Sequence, residues 1–287
     1  MKLLIHLISI IEKIVLLPLR LLALTNSAMR RLEYPPKKHR DLVIDIGGGG
    51  LPNPFAHVVV EGYPQDTERA TKLRLDRNLV WAYADKLPFK DKVFSFSTMS
   101  HVLEHLYDPE NSLKEIERIS KAGYIETPNS FYETAVPHVY HVSRCDVIDN
   151  KLVVTPKKKW DEQIVENPLL EQIKIYFSLV NRYFPNTNLT RYVWQERIHY
   201  LITPGDFFEK NDALMEQHAG YNNRNFIKKL IIEFIYKILA PKKISLDSLL
   251  ACPICKSDLE ISGQLSCHCV SCKKSYHQLN GHFDFRV

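Results

Sequence analysis

Leu42-Val43-Ile44-Asp45-Ile46-Gly47-Gly48-Gly49-Gly50 decides how this 287-residue chain is read. Leu42 to Ile46 is short, β-branched and mostly apolar, the pattern of a strand buried on both faces of a parallel sheet. The glycines that follow permit unusual φ angles and let the backbone approach a ligand closely. Open α/β sheets bind ligands outside the carboxyl ends of their strands, so this turn is a candidate site. A dinucleotide fingerprint would place glycine at position 52, and Pro52 stands there instead, against a nicotinamide cofactor.

Working outward, His57 to Val60 and Asn78 to Ala84 read as the next strands, and Tyr124 to Asn129 as the fifth with its exit loop. Only Leu51 to Ala56 separate the glycines from the second strand, so the first crossover helix is expected to be about one turn long. Asp108-Pro109-Glu110 supplies an N-cap, a proline at N1 and early negative charge. Leu113, Ile116 and Ile119 then share one helix face, and Gly123 is expected to stop that helix. Strands alternating with helices predict an α/β fold with a doubly wound, mostly parallel sheet.

Asp45-Ile46-Gly47-Gly48-Gly49 resembles the first motif of class I S-adenosylmethionine-dependent methyltransferases, in which an acidic residue precedes G-x-G by one position. Ala84-Asp85-Lys86-Leu87-Pro88-Phe89, Asp91-Lys92-Val93-Phe94-Ser95-Phe96 and Ser100-His101-Val102-Leu103-Glu104-His105 resemble the small-molecule group of that class. The resemblance runs from residue 41 to about 145 and implies a Rossmann-like domain binding S-adenosylmethionine. Asp45, Gly47 and Gly49 would form the cofactor turn. Glu61, at the end of the second strand, is placed to accept hydrogen bonds from the ribose hydroxyls, and Asp85 from the adenine amino group. Met99, Ser100 and His101 inherit the neighbourhood of the methionine portion. His105 reads as a structural residue closing a turn.

Methyl transfer from a sulfonium needs alignment first and a base only where the acceptor carries a proton. Glu133, His138 and His141 follow the fifth strand, and His138 or His141 is the candidate catalytic base, beside the alternative that both are merely packed in a loop. No Asn-Pro-Pro-Tyr or Asp-Pro-Pro-Tyr follows the fourth strand, against the common amino-nitrogen methylases of adenine and glutamine. Residues 146 to 224, with Leu152-Val153-Val154 and Tyr192-Val193-Trp194, read as the remaining sheet edge plus a substrate-covering insertion.

The ends of the chain differ from its body. Residues 1 to 24 are rich in Leu and Ile, with Lys2, His6, Ser9, Lys13 and Arg20 on one helical stripe. Glu12 and Lys13 interrupt the apolar run, so the segment is expected to lie on a membrane surface or dock on protein rather than span a bilayer, with a signal peptide or anchor as the remaining alternative. Arg30, Arg31, Lys37, Lys38 and Arg40 follow, and the formal charge of +5 suits anionic surfaces without demanding nucleic acid. Five of the six cysteines lie between Cys252 and Cys272, which favours a metal in a reducing compartment over disulfides. Cys252-Pro253-Ile254-Cys255 and Cys269-Val270-Ser271-Cys272 suit a closed, structural Cys₄ Zn²⁺ site, with Cys267 an alternative to Cys269. Leu249 to Pro253 and Ser275 to Gly281 resemble small zinc-ribbon proteins that activate RNA and protein methyltransferases, and Asn280-Gly281 predicts a hairpin turn.

The expected organisation is an N-terminal helix and basic linker over 1–40, a methyltransferase domain over 41–243 and a zinc ribbon over 244–287. The expected protein is cytoplasmic, peripheral to a membrane if the helix binds one, and methylates a small-molecule, sugar or lipid-linked acceptor. Two alternatives stand beside it: an RNA or protein methyltransferase recruiting through the ribbon, and a non-catalytic adaptor that keeps the fold.

Overall fold

The computed structural model describes residues 32–63, 72–138, 140–157, 185–205, 226–262 and 266–287. The apolar segment 1–24 lies outside them, as do 158–184 and 206–225, which hold much of the expected insertion. Among the described residues no helix is long and apolar enough to cross a membrane.

Five short strands form the centre: β1 (Val43–Ile46), β2 (Val58–Glu61), β3 (Asn78–Trp81), β4 (Phe96–Ser100) and β5 (Ala122–Pro128). They pair in parallel in the order β3-β2-β1-β4-β5, with Ile44 opposite Val58 on one side and Ser97 on the other. β1 and β2 are buried along their whole length, as strands covered on both faces must be. One apolar cluster, with Ile44, Val58, Val80 and Phe89, covers one face, and a second, with Val43, Val59, Leu79 and Phe96, covers the other.

Helix α1 (Pro109–Ile119) starts as expected: Asp108 accepts a hydrogen bond from the Asn111 amide at 3.0 Å, and Pro109 opens the first turn. Leu113, Ile116 and Ile119 are buried. The helix stops at Ile119, and Gly123 lies inside β5 rather than ending the helix. A Cβ on Gly123 would sit 2.6 Å from the Trp194 ring nitrogen and 2.6 Å from Ser97 Oγ, so glycine is there for close packing. A short helix α2 (Ser130–Ala135) follows β5, capped by Asn129.

Beyond β5, β8 (Leu189–Gln195) adds an antiparallel edge. β6 (Ser143–Ile148), β7 (Lys151–Pro156) and β9 (Tyr200–Ile202) form a separate three-stranded sheet. The crossover from β1 to β2 contains turns and no helix. Its carbonyls are satisfied from outside. Arg77, fully buried, donates to Asn53 O at 2.9 Å and Ala56 O at 3.1 Å, and Tyr236 of helix α3 (Phe226–Leu239) donates to Pro52 O.

At the opposite edge the cysteine-rich segment continues the central sheet. β10 (Leu259–Ser262), β11 (Ser266–Cys269), β12 (Ser275–Leu279) and β13 (His282–Asp284) pair antiparallel, and β13 pairs in parallel with β3 at Asp284 opposite Trp81. Asn280 and Gly281 take positive φ in the β12–β13 turn, as Asn-Gly predicts. Phe285 N donates to Trp81 O at 2.7 Å, Ala251 N to Pro88 O at 3.0 Å and Lys90 N to Leu249 O at 2.9 Å. Cys252, Tyr276 and Phe285 share one buried cluster with Leu87 and Phe89, so the core runs without a break across the boundary expected near residue 244.

Candidate active site

A cavity of about 640 Å³ opens at the carboxyl ends of β1 to β4, within the size range of small-molecule sites. Ile46 and Gly47, Glu61, and Ala82 to Asp85 line one half, and His101, Val102 and Glu104 to Asp108 close the floor. Tyr132, His138, Tyr140 and His141 form the facing wall. This is the place where open α/β sheets bind ligands.

Gly47 is at φ +68°, and a Cβ there would meet Val102 at 2.3 Å; only glycine lets the chain turn this close to the residue after His101. Asp45 does not line the cavity: its carboxylate accepts from Asn53 N at 2.7 Å and Thr98 Oγ1 at 2.6 Å, tying the turn to the crossover and to β4. Gly49 N donates to Glu61 Oε1 at 2.5 Å, so Gly49 positions the Glu61 carboxylate rather than facing the cavity itself. Glu61 is buried and lines the cavity wall. Asp85, half-buried, lines the cavity beyond β3. Ser100 ends β4 with its hydroxyl 3.4 Å from Glu126; the next residue, His101, at φ +56°, borders the cavity.

A buried network stands on the far wall. His141 Nδ1 is 2.6 Å from Glu133 Oε2, while Lys157 donates to Glu133 Oε1 at 2.8 Å and to His138 O at 2.9 Å. Burial alone would raise the Glu133 carboxyl, but His138, His141 and Lys157 overcome it and hold the group well below the usual range, ionised. Burial lowers His141 to about 4 even though Glu133 pulls the other way, so its imidazole is neutral at pH 7. His138, 28% exposed, stacks on His141 at 4.6 Å between ring centres, with its Nδ1 3.6 Å from Glu133. His105, read from sequence as a turn-closing residue, faces the cavity: its ring lies 4.7 Å from His141 edge-on and 5.6 Å from Tyr140 stacked. Sequence alone did not single out Glu104 or His105 for this wall. The signal was present in the Glu104-His105 pair, but only the fold brings it against His141, 36 positions later.

Cys252, Cys255, Cys269 and Cys272 gather outside the cavity, their sulfurs all within 4.8 Å of one another. Cys252 and Cys272 are 3.7 Å apart and Cys255 and Cys269 3.3 Å, near the roughly 3.8 Å edge of a tetrahedron with 2.3 Å zinc–sulfur bonds. The donor set therefore fits one tetrahedral Zn²⁺. Cys267 is buried in β11 outside this group, paired across the sheet with Tyr276.

Residues 46–125 match the family profile of a methyltransferase domain. No curated protein matches the chain. Among solved structures, the chain is similar to one from the complex between the Haloferax volcanii Trm112 methyltransferase activator and a protein described as its methyltransferase, at 23% identity, covering 36% of this chain and 51% of that one, with a TM-score of 0.30. It is also similar to a SAM-dependent methyltransferase of Thermotoga maritima, at 26% identity over 30% of this chain and 42% of that one, TM-score 0.24. A third, an S-adenosylmethionine-dependent methyltransferase of Mesorhizobium loti, is 10% identical over 48% of this chain and 69% of that one, TM-score 0.30. The chain thus spans about half the length of the first of these and 42% of the second.

Proposed function

We propose that this chain, whose residues 46–125 match a methyltransferase-domain profile, transfers a methyl group from S-adenosylmethionine to a hydroxyl of a small-molecule, sugar or lipid-linked acceptor. The observation that carries the reading is one cavity with carboxylate acceptors, Glu61 and Asp85, on its sheet side and a histidine–tyrosine wall opposite. When bound, S-adenosylmethionine supplies an electrophilic methyl on a sulfonium. Glu61 accepts from the ribose hydroxyls, Asp85 from the adenine amino group, and the Gly47 turn leaves room for backbone contact. The acceptor lies against Tyr132, His138 and Tyr140, rings that suit the faces of a sugar or a small ring system.

Bound S-adenosylmethionine would supply the methyl group and keep the carbon–sulfur electron pair as it leaves, and His138 would take the proton of the attacking hydroxyl. His141 is committed to Glu133 and orients the pair, while His138, partly open to the cavity, is the reachable base. Zn²⁺ on Cys252, Cys255, Cys269 and Cys272 closes the C-terminal ribbon and has no open position for chemistry. The ribbon's pairing with β3 supports a role as a built-in part of the body rather than as a recruiter of RNA or protein. Calorimetry of the full chain is expected to show S-adenosylmethionine binding, weakened at least tenfold in Asp85→Ala; a protein that binds none, or a variant that binds as well as the parent, would overturn the reading.

A further inference from the structure

Glu104 is 2% exposed, lines the cavity, and neither of its oxygens makes a hydrogen bond among the described residues. A buried carboxylate without a donor is costly, and such a group calls for a positive partner. The nearest side-chain nitrogens, His101 Nδ1 at 3.5 Å and His105 Nε2 at 4.0 Å, are not hydrogen-bonded to it. One ligand atom each from Glu104, His105 and His141 lie within 4.8 Å of one another.

The orientation of His141 gives this cluster its chemistry. With Nδ1 held by Glu133 at 2.6 Å, Nε2 is the nitrogen left to offer, and a carboxylate behind a histidine is the usual support of a metal-binding imidazole. Glu133, His138 and His141 also lie close enough to one another to share an ion, but there both Glu133 oxygens are already engaged, Oε1 by the Lys157 ammonium at 2.8 Å and Oε2 by His141 Nδ1 at 2.6 Å. No lysine or arginine contacts Glu104 among the described residues, so its charge is open to a cation.

We propose that Glu104, His105 and His141 form a second metal site, holding a divalent first-row transition-metal ion at the acceptor side of the cavity. Two imidazoles and one carboxylate suit such ions and leave coordination positions for oxygen donors. Ligand atoms about 2.1 Å from a shared ion sit roughly 3 to 3.5 Å apart, so the cluster closes on an ion by small side-chain rotations. The open positions face the cavity, so the acceptor class is a molecule presenting a hydroxyl, or two neighbouring hydroxyls, to the ion. The ion fixes the acceptor oxygen and lowers its pKa, and His138 takes the proton.

This deepens the methyl-transfer reading, and its test needs neither cofactor nor turnover. Full-length protein with its ribbon metal in place is equilibrated by dialysis with MnCl2, and total bound divalent metal per chain is measured for the parent, Glu104→Gln and His105→Asn. The parent is expected to hold one more ion per chain than either variant, and Mn²⁺ paramagnetic resonance is expected to show nitrogen ligation in the parent only. Equal metal content in all three, or a parent holding a single ion, would overturn the site. Circular dichroism melts identify a variant that has failed to fold; the parent's own ion count and nitrogen signal decide in that case. Bound Mn²⁺ without S-adenosylmethionine binding would keep the site and sink methyl transfer, and the reverse result would do the opposite.

Discussion

The guanidinium of Arg77 is enclosed beneath the first crossover, donating to Asn53 O and Ala56 O where a crossover helix would have satisfied its own carbonyls. Its Nε is held by Asp76 at 2.8 Å. Arg77→Met keeps the volume but leaves those carbonyls unpaired in the interior, and a loss of about 3 kcal/mol is expected in denaturant unfolding. A loss below about 1 kcal/mol would mean that water replaces the guanidinium. Single residues were legible in the sequence by type but not by partner. Asp45 and Gly49 stand in the expected motif, yet Asp45 ties Asn53 and Thr98, and Gly49 holds Glu61. A motif records that a carboxylate precedes the glycines; which donors its oxygens meet depends on residues brought up by β4 and the crossover. Glu104 escaped notice for the same reason, since burial without a donor is a property of the folded wall.

Elements with a local pattern were readable in advance. The N-cap of α1, the five central strands and the Asn280-Gly281 turn follow from caps, β-branched runs and turn residues, and the structure holds each of them. The docking of β13 on β3 has no such pattern, because a single parallel pair between Asp284 and Trp81 joins positions about two hundred residues apart. The ionic link beside it is testable. Burial would raise the Glu115 carboxyl, but hydrogen bonds from Arg118 and from Lys256 of the ribbon overcome that and hold it below 4.5, while Leu87 N adds a third donor at 2.8 Å. A depressed carboxylate stabilises the fold above its unfolded value and loses that contribution as pH falls below about 4.5 through the folded value. Melting temperature is therefore expected to drop on acidification below pH 4.5, with a shallower drop in Glu115→Gln, which starts lower at pH 7. Parallel profiles for the two proteins would remove Glu115 as the linkage.

On the scale of the molecule, ten strands among the described residues form one sheet with the cysteine cluster at one end and β8 at the other. The cysteine-rich segment grips residues 87 to 90 through Ala251, Leu249 and the shared core, and Asp85 lies two positions before that grip. If Zn²⁺ fills the Cys252–Cys255–Cys269–Cys272 cluster and the cavity takes S-adenosylmethionine, as proposed, stripping that metal is expected to weaken cofactor binding at least tenfold although no cysteine lines the cavity. Calorimetry before and after chelation, followed by restoration with Zn²⁺, measures this, and unchanged affinity in metal-free protein would uncouple the two ends. The short connection between Leu239 and Leu250 has a further consequence. A ribbon on a separate chain would dissociate on dilution, whereas one tethered by about ten residues meets β3 at an effective concentration in the millimolar range whatever the amount of protein. The ratio of ribbon to body is then fixed at one when the chain is synthesised.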